Sequence, residues 1–285
     1  MQKLFKFLKP IVQKFPALAN LYRSYHESKI VTAKVLYRDK LGFFFNGMDA
    51  MNEGKFEPDE TYIFDKIISN YDMFVNVGAN TGYYVCKALK EEISVIAFEP
   101  SQLNVTRMAN NIQANSFNAE FQLFPIALSD QLGLLPIYGE GSGASLLDGW
   151  AGGEYKSLVP VSSYDMTAML LTENKKCLVM IDIEGAELAC LKGANSLITS
   201  DQDNDFIIEI CSDVHQPQGT IINPNLVETF QLMFSYGYTA YTADANLRKI
   251  ELSEAKEIES TQINTLETHN FIFSKTNNII NQLKP

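Results

Sequence analysis

Three carboxylates crowd into the six residues Asp182-Ile183-Glu184-Gly185-Ala186-Glu187, directly behind the apolar run Leu178-Val179-Met180-Ile181. Carboxylates at the end of a buried strand can take a proton, face a cation or hold a metal. In open α/β sheets, ligands bind beyond the carboxyl ends of the strands. Asp182 and Glu184 fall on one side if the strand continues that far, facing the site opened by Gly78, which makes both candidate catalytic residues. The plainer reading of Glu184 is a cap for a helix beginning at Gly185. Glu187 is expected to be helical and solvated. A further acid, Glu209, sits inside the apolar run Phe206-Ile207-Ile208-Glu209-Ile210, where a charge is costly to bury alone, so it must be paired, metal-bound or catalytic. His215 follows closely and is a candidate general base, the alternative being an exposed loop histidine. His26 and His269 have no such context.

A second constellation implies a ligand. Phe74-Val75-Asn76-Val77 runs into Gly78-Ala79-Asn80-Thr81-Gly82, after which 83–89 reads as a helix. Glycines at a tight strand-to-helix turn let the backbone approach a ligand and leave N–H groups free at the helix start. A nucleotide-like cofactor is the expected occupant. Val95-Ile96-Ala97-Phe98 then delivers Glu99, 21 residues after Gly78, the spacing at which such folds bind the two ribose hydroxyls.

The elements that position these residues follow from the alternation of apolar runs with helical patterns beyond Tyr71, which indicates successive β-α units and a mostly parallel sheet. Strands are expected at 74–77, 95–98, 121–128, 178–183 and 206–210, with a closing strand at 270–273. Ser101 is the expected N-cap of a helix carrying Leu103, Met108 and Ile112. Asn223-Pro224 is expected to open another, with Leu226, Val227, Phe230 and Met233 on one side. Residues 139–153 break the rhythm with six of the 16 glycines and the one tryptophan of the chain. Such an excursion inside a compact domain is usually functional or disordered. Trp150 is a candidate for stacking on a substrate ring, the alternative being a residue that pins the loop.

With 285 residues and 46% hydrophobic content, the chain can bury one sizeable core, a single catalytic domain over 41–285. A net charge of −11 argues against nucleic acid as partner, since phosphate backbones are met by clustered Lys and Arg. Residues 1–40 differ, with nine Lys or Arg against Glu27 and Asp39. There Leu4, Phe5, Leu8, Ile11, Val12 and Phe15 share a helical face that Pro10 and Pro16 must break or kink. This segment reads either as a peripheral anchor of residues 1–30 on the inner face of an anionic membrane, or as a helix packed on the domain or on a second subunit. Cys86, Cys177, Cys190 and Cys211 form no Cys-x-x-Cys pair and read as reduced core thiols. No apolar stretch is long enough for a membrane span and the start lacks a signal peptide's apolar block, so the expected location is the cytoplasm.

With these residues in place, the chain resembles the FkbM family of S-adenosylmethionine-dependent methyltransferases. The resemblance is carried by Phe-Val-Asn-Val-Gly-Ala-Asn-Thr-Gly-Tyr-Tyr at 74–84, Ala-Phe-Glu-Pro at 97–100, Asn-Asn-Ile at 110–112 and Ala-Leu-Ser-Asp at 127–130. Val-Pro-Val at 159–161, Ile-Asp-Ile-Glu-Gly-Ala-Glu at 181–187 and Leu-Lys-Gly-Ala at 191–194 continue it. It implies a class I methyltransferase fold: a Rossmann-like α/β sheet of seven mostly parallel strands, the last antiparallel, with helices on both faces. It also implies S-adenosyl-L-methionine as cofactor and a hydroxyl of a sugar, glycan or small metabolite as acceptor. By position, Asn76, Gly78, Asn80 and Gly82 would shape the turn under the cofactor's methionine and ribose, Glu99 with Pro100 would hold the ribose, and Ala127, Leu128, Ser129 and Asp130 would lie beside the adenine. Asn76 departs from the family's usual Asp, and an amide cannot neutralise the cofactor's ammonium, a task Asp182 or Glu184 could assume. Catalysis is expected without a metal. The alternative has Asp182 and Glu209 holding Mg²⁺ against the acceptor oxygen. Two rival functions are a non-catalytic cofactor-binding scaffold of a surface-glycan assembly complex and a nicotinamide-dependent oxidoreductase. The latter's Tyr-x-x-x-Lys at 62–66 lies before the glycine turn and that at 83–87 immediately behind it, so neither has the required place.

Overall fold

The computed structural model describes residues 34–276 and 278–283. The amphipathic pattern of residues 1–30 and His26 lie outside them, as does most of the basic segment 1–40. A short antiparallel pair, β1 (Leu36–Arg38) and β2 (Phe43–Phe45), precedes helix α1 (Pro58–Ile67). The main sheet begins with β3 (Met73–Val77), α2 (Tyr83–Lys90), β4 (Ser94–Phe98), α3 (Gln102–Gln113) and β5 (Phe121–Phe124). After β6 (Ala127–Leu128), β7 (Gly133–Tyr138) and β8 (Tyr155–Ser162), the chain returns through β9 (Cys177–Ile181), α4 (Glu187–Lys192) and β10 (Asp205–Glu209). It closes with α5 (Leu226–Ser235), β11 (Thr239–Thr242), β12 (Lys249–Ile250), α6 (Leu252–Thr261) and β13 (Asn270–Ser274).

The main sheet runs β12-β11-β13-β10-β9-β3-β4-β5, while β6, β8 and β7 form a small separate sheet. The order reverses at β3, which pairs in parallel with both β4 and β9. This is the switch point at which an open sheet leaves a crevice. The mostly parallel α/β expectation holds and β13 is antiparallel to β10. The main sheet has eight strands instead of seven, the two-residue β12 extending its edge.

Strands covered on both faces read as continuous apolar runs, since alternate residues serve different cores. Val75, Val77, Ile96, Val179 and Ile208 join one cluster with Leu191 of α4, Phe230 of α5 and Ile258 of α6. Phe74, Val95, Leu178, Met180 and Ile207 join the other with Phe64 of α1, Val85 of α2 and Met108 of α3. All four cysteines are buried and free, as expected of core thiols. Among the described residues, no helix is long and apolar enough to cross a membrane.

Two strand expectations change. The run 121–128 splits at Pro125, which has no N–H for a ladder, so that β5 joins the main sheet and β6 the small one. The run 178–183 ends at Ile181, because Glu184 (φ 57°) and Gly185 (φ 100°) turn the chain in the left-handed region. Ser101 precedes α3, but its hydroxyl makes no cap; its backbone N–H donates to Glu99 Oε1 at 2.9 Å. Helix α5 starts at Leu226 instead of Pro224, with Asn223 Oδ1 accepting from Asn225 N–H at 2.8 Å.

The two turn glycines serve the fold. A Cβ on Gly78 (φ +84°) would lie 1.8 Å from the carbonyl oxygen of Asp182, and one on Gly82 (φ +83°) 2.6 Å from Met108 Cγ. Gly78 therefore lets β3 and β9 close on each other, and Gly82 lets α2 pack on α3. Gly78→Ala is expected to cost ~2–5 kcal/mol, combining left-handed strain with a backbone clash. Gly219→Ala, at φ +89° with nothing within 4 Å, carries the strain alone and is expected to cost ~1–2 kcal/mol. Urea denaturation measures both, and equal losses would contradict this reading.

Candidate functional site

A cleft with about 600 Å³ of empty space, open solvent included, lies beyond the carboxyl ends of β3, β4 and β9. Gly78, Asn80, Glu99, Pro100, Ala127, Leu128, Asp182 and Glu184 line it, so most residues expected from sequence converge there. Asn76 does not; it is 3% exposed within β3, between Ala97 and Met180. Gly82, Ser129 and Asp130 also stay off the wall. Ser129 is buried, with its N–H on the carbonyl of Ser162, while Asp130 is exposed.

Glu99 organises one side of the cleft. Its Oε2 accepts from Asn80 N–H at 2.8 Å, and its Oε1 from Ser101 N–H at 2.9 Å and Asn104 Nδ2 at 3.3 Å. Burial pushes the Glu99 carboxyl up to about 7 despite these donors. The expected free N–H groups of the glycine turn are already engaged: those of Gly78 and Ala79 donate to the carbonyl of Phe98, both at 3.0 Å. The turn thus orients Glu99 instead of leaving bare donors. Asn104 Oδ1 is buried on the same wall and finds no partner among the described residues.

Across the switch point, the parallel register pairs Ile181 with Ile208, which brings Asp182 beside Glu209. Asp182 N–H continues the ladder to the carbonyl of Val77 at 3.0 Å. Asp182, Glu184 and Glu209 each present an oxygen within 4.8 Å of the others, a set of hard ligands that a divalent cation could bridge. The Glu209 carboxyl is held well above the ordinary carboxylate range by burial first, then by the charge of Asp182 and the hydrogen bond between the two acids. Glu184 is raised by burial and by Asp182, and opposed by Trp150 and His215. Its Oε2 accepts from Trp150 Nε1 at 2.6 Å and lies 3.6 Å from His215 Nδ1. His215 is half exposed, in a left-handed conformation (φ 64°).

Three residues correct the sequence expectations. Trp150 is 1% exposed, so its ring has no open face for a substrate and it contacts Glu184 instead. Glu187 is not solvated: it is 3% exposed, accepts from Gly185 N–H at 2.8 Å, and burial pushes it up to about 8. Glu57, which precedes α1, escaped sequence reasoning. Burial and then Asp182 push it up to about 8, while the Tyr84 hydroxyl donates to its Oε2 at 3.0 Å. Its only local sign in the sequence is Pro58, which opens α1 directly after it. Ile126, Ile137 and Leu146 complete the apolar wall.

Glu187 carries a consequence for pH. Its folded pKa lies above the unfolded carboxylate value of 4.5, so the stability it contributes is whole below that value and lost as pH rises through the folded one. Glu187→Gln, which stays neutral, is expected to melt above wild type at about pH 9, by roughly 2–4 °C per kcal/mol relieved, and level with it at about pH 5. Thermal denaturation at both pH values checks this; a variant that melts lower at high pH would contradict it.

Comparison with known proteins adds a family. The model for the methyltransferase FkbM domain matches residues 76–240. A search of curated proteins found no match. Among solved structures, an O-methyltransferase from Bacillus cereus in complex with SAH is 10% identical, with 76% of this chain and 80% of that one covered and a TM-score of 0.41. The SAH-bound Podospora anserina methyltransferase PaMTH1 is 8% identical, with 92% and 96% covered and a TM-score of 0.41.

Proposed function

The chain belongs to the FkbM methyltransferase family, and we propose that it transfers the methyl group of S-adenosylmethionine to a hydroxyl oxygen of a sugar, glycan or small metabolite in the cytoplasm. The observation that carries the reading is the pairing, in one cleft, of a buried, donor-oriented Glu99 with Asp182 at the switch point.

The residues present fit this cofactor. Glu99 Oε2 has one protein donor against two on Oε1, which leaves it acceptor capacity for a ribose hydroxyl. Asn104 Oδ1 still needs a donor. Ile126, Ile137 and Leu146 offer apolar surface to a purine. Asp182 and Glu184 line the cleft where Asn76 does not, and supply the negative charge that an ammonium and a sulfonium require.

When bound, the cofactor supplies an electrophilic methyl on a sulfonium. The acceptor oxygen forms its bond to that carbon as the carbon–sulfur bond breaks, and the hydroxyl proton must leave. Two groups can take it. Asp182 lies on the cleft wall itself; His215 stands behind the wall residue Glu184, with its Nδ1 3.6 Å from Glu184 Oε2 and its Nε2 left for a proton. Alignment can contribute roughly 7–11 kcal/mol, whereas a positioned base adds about 10²- to 10⁴-fold, so holding the acceptor in line is the larger task. A second reading is favoured by the approach of Asp182, Glu184 and Glu209 to within 4.8 Å. These acids would hold a divalent cation, which would lower the acceptor's pKa.

Incubation of the purified protein with radiolabelled methyl donor and fractionated cell extract is expected to label an extract component, in the presence of EDTA as in its absence. With the methyl donor saturating, Asp182→Ala is expected to reduce that labelling by about 10²- to 10⁴-fold. Undiminished labelling would remove Asp182 from the mechanism, and labelling lost to EDTA and restored by Mg²⁺ would assign the three acids to a metal.

A further inference from the structure

The glycine-rich loop 139–153 meets the site twice. Its first half supplies Gly141, Ser142, Ala144 and Leu146 to the cleft wall. It is then fastened to one residue: Ser145 Oγ donates to the Glu184 carbonyl at 2.6 Å, and Trp150 Nε1 donates to Glu184 Oε2 at 2.6 Å. The loop also grips His215, whose carbonyl accepts from Ala151 N–H at 2.7 Å and whose ring stands edge-on to the indole with centroids 6.1 Å apart.

Packing alone does not account for this arrangement. An indole that needed only burial could satisfy its N–H on a backbone carbonyl. Here the N–H goes to the carboxylate oxygen that also faces His215 Nδ1. Bonds to an ionised partner are roughly twice as strong as neutral ones. Glu184 and His215 both hold left-handed backbone conformations, at φ 57° and 64°, which persist only where the surroundings over-determine them. The loop supplies that constraint, and Gly185 is the residue that admits it: a Cβ there would lie 2.7 Å from the indole Cζ3.

We propose that Trp150 is a positioning residue that fastens the glycine-rich loop to Glu184, so that seating of the loop on the cleft and orientation of the Glu184–His215 pair are a single event. The pair's part in proton removal rests on the methyl-transfer reading; the latch itself does not. In this arrangement the loop wall and the proton acceptor form together, and a loop lifted off the cleft leaves Glu184 without its donor and His215 without a fixed partner. Trp150 thus acts on the chemistry without touching substrate.

Because Trp150 is the one tryptophan of the chain, labelling tryptophan with ¹⁵N gives a single indole signal in the full-length, ligand-free protein. Glu184→Ala is expected to move that signal upfield and speed its hydrogen exchange roughly 10- to 100-fold, the range for losing a hydrogen bond to a charged partner. Trp150→Phe keeps an aromatic ring but lacks the donor. It is expected to shift the His215 ring signals and weaken S-adenosylhomocysteine binding about tenfold, a signature that a purely packing role would not produce. An indole signal unmoved by Glu184→Ala, or a folded Trp150→Phe variant with wild-type His215 signals and wild-type affinity, would overturn the proposal. Should Trp150→Phe fail to fold, the indole signal decides alone. A wild-type protein that takes up no S-adenosylhomocysteine would instead sink the methyl-transfer reading, and the indole and His215 signals would still decide the latch.

Discussion

Carboxylates clustered out of water at the carboxyl ends of the strands are the constraint on which this site is built. Among the described residues, none that lines the cleft is Lys or Arg. A charge buried in this way must be met by oriented dipoles, by a proton or by a ligand. The protein uses the first two in different places. Glu99 is met by two backbone N–H groups and an amide, Glu187 by the N–H of Gly185, and Glu184 by an indole. Burial and the neighbouring charge of Asp182 favour the protonated form of Glu209. A cofactor that carries a sulfonium and an ammonium would bring positive charge to these carboxylates.

The fold provides those dipoles through two close approaches. Gly78 lets the ends of β3 and β9 meet, which carries Asp182 to the switch point and turns the following residues toward Glu99. Gly185 admits the indole, which fixes Glu184 from the far side. Both glycines have positive φ, and both would clash if given a side chain. They bring pieces of the protein onto each other, and the cleft is what remains between them.

Much of this was legible in the sequence, and for physical reasons. Strands covered on both faces have to be apolar throughout, so 74–77, 95–98 and 206–210 stand out without any alternation. An acid at the end of such a run has nowhere to go but the rim, which made Glu99, Asp182 and Glu209 recognisable. What the sequence withheld depends on contacts between distant segments. That Trp150 reaches Glu184 across 34 residues, or that Glu187 points inward, follows from where the loop and α4 settle, and no local pattern records it. Glu57 was hidden by its place before α1, far in sequence from the acids whose charge it feels. The split at Pro125 was readable from proline chemistry, whereas the small sheet that receives β6 was not. Asn76 shows the limit of positional inference: it occupies the motif position, yet it is buried and does not line the cleft.

The most direct test of the account is calorimetric titration of S-adenosylhomocysteine into ligand-stripped protein, wild type beside Glu99→Ala. Saturable uptake by the wild type, weakened roughly 10- to 100-fold in the variant as expected for losing hydrogen bonds to a charged acceptor, is the result predicted. No uptake by properly folded wild type, or equal affinity in the two proteins, would contradict the claim that this buried carboxylate holds a nucleoside at the switch point.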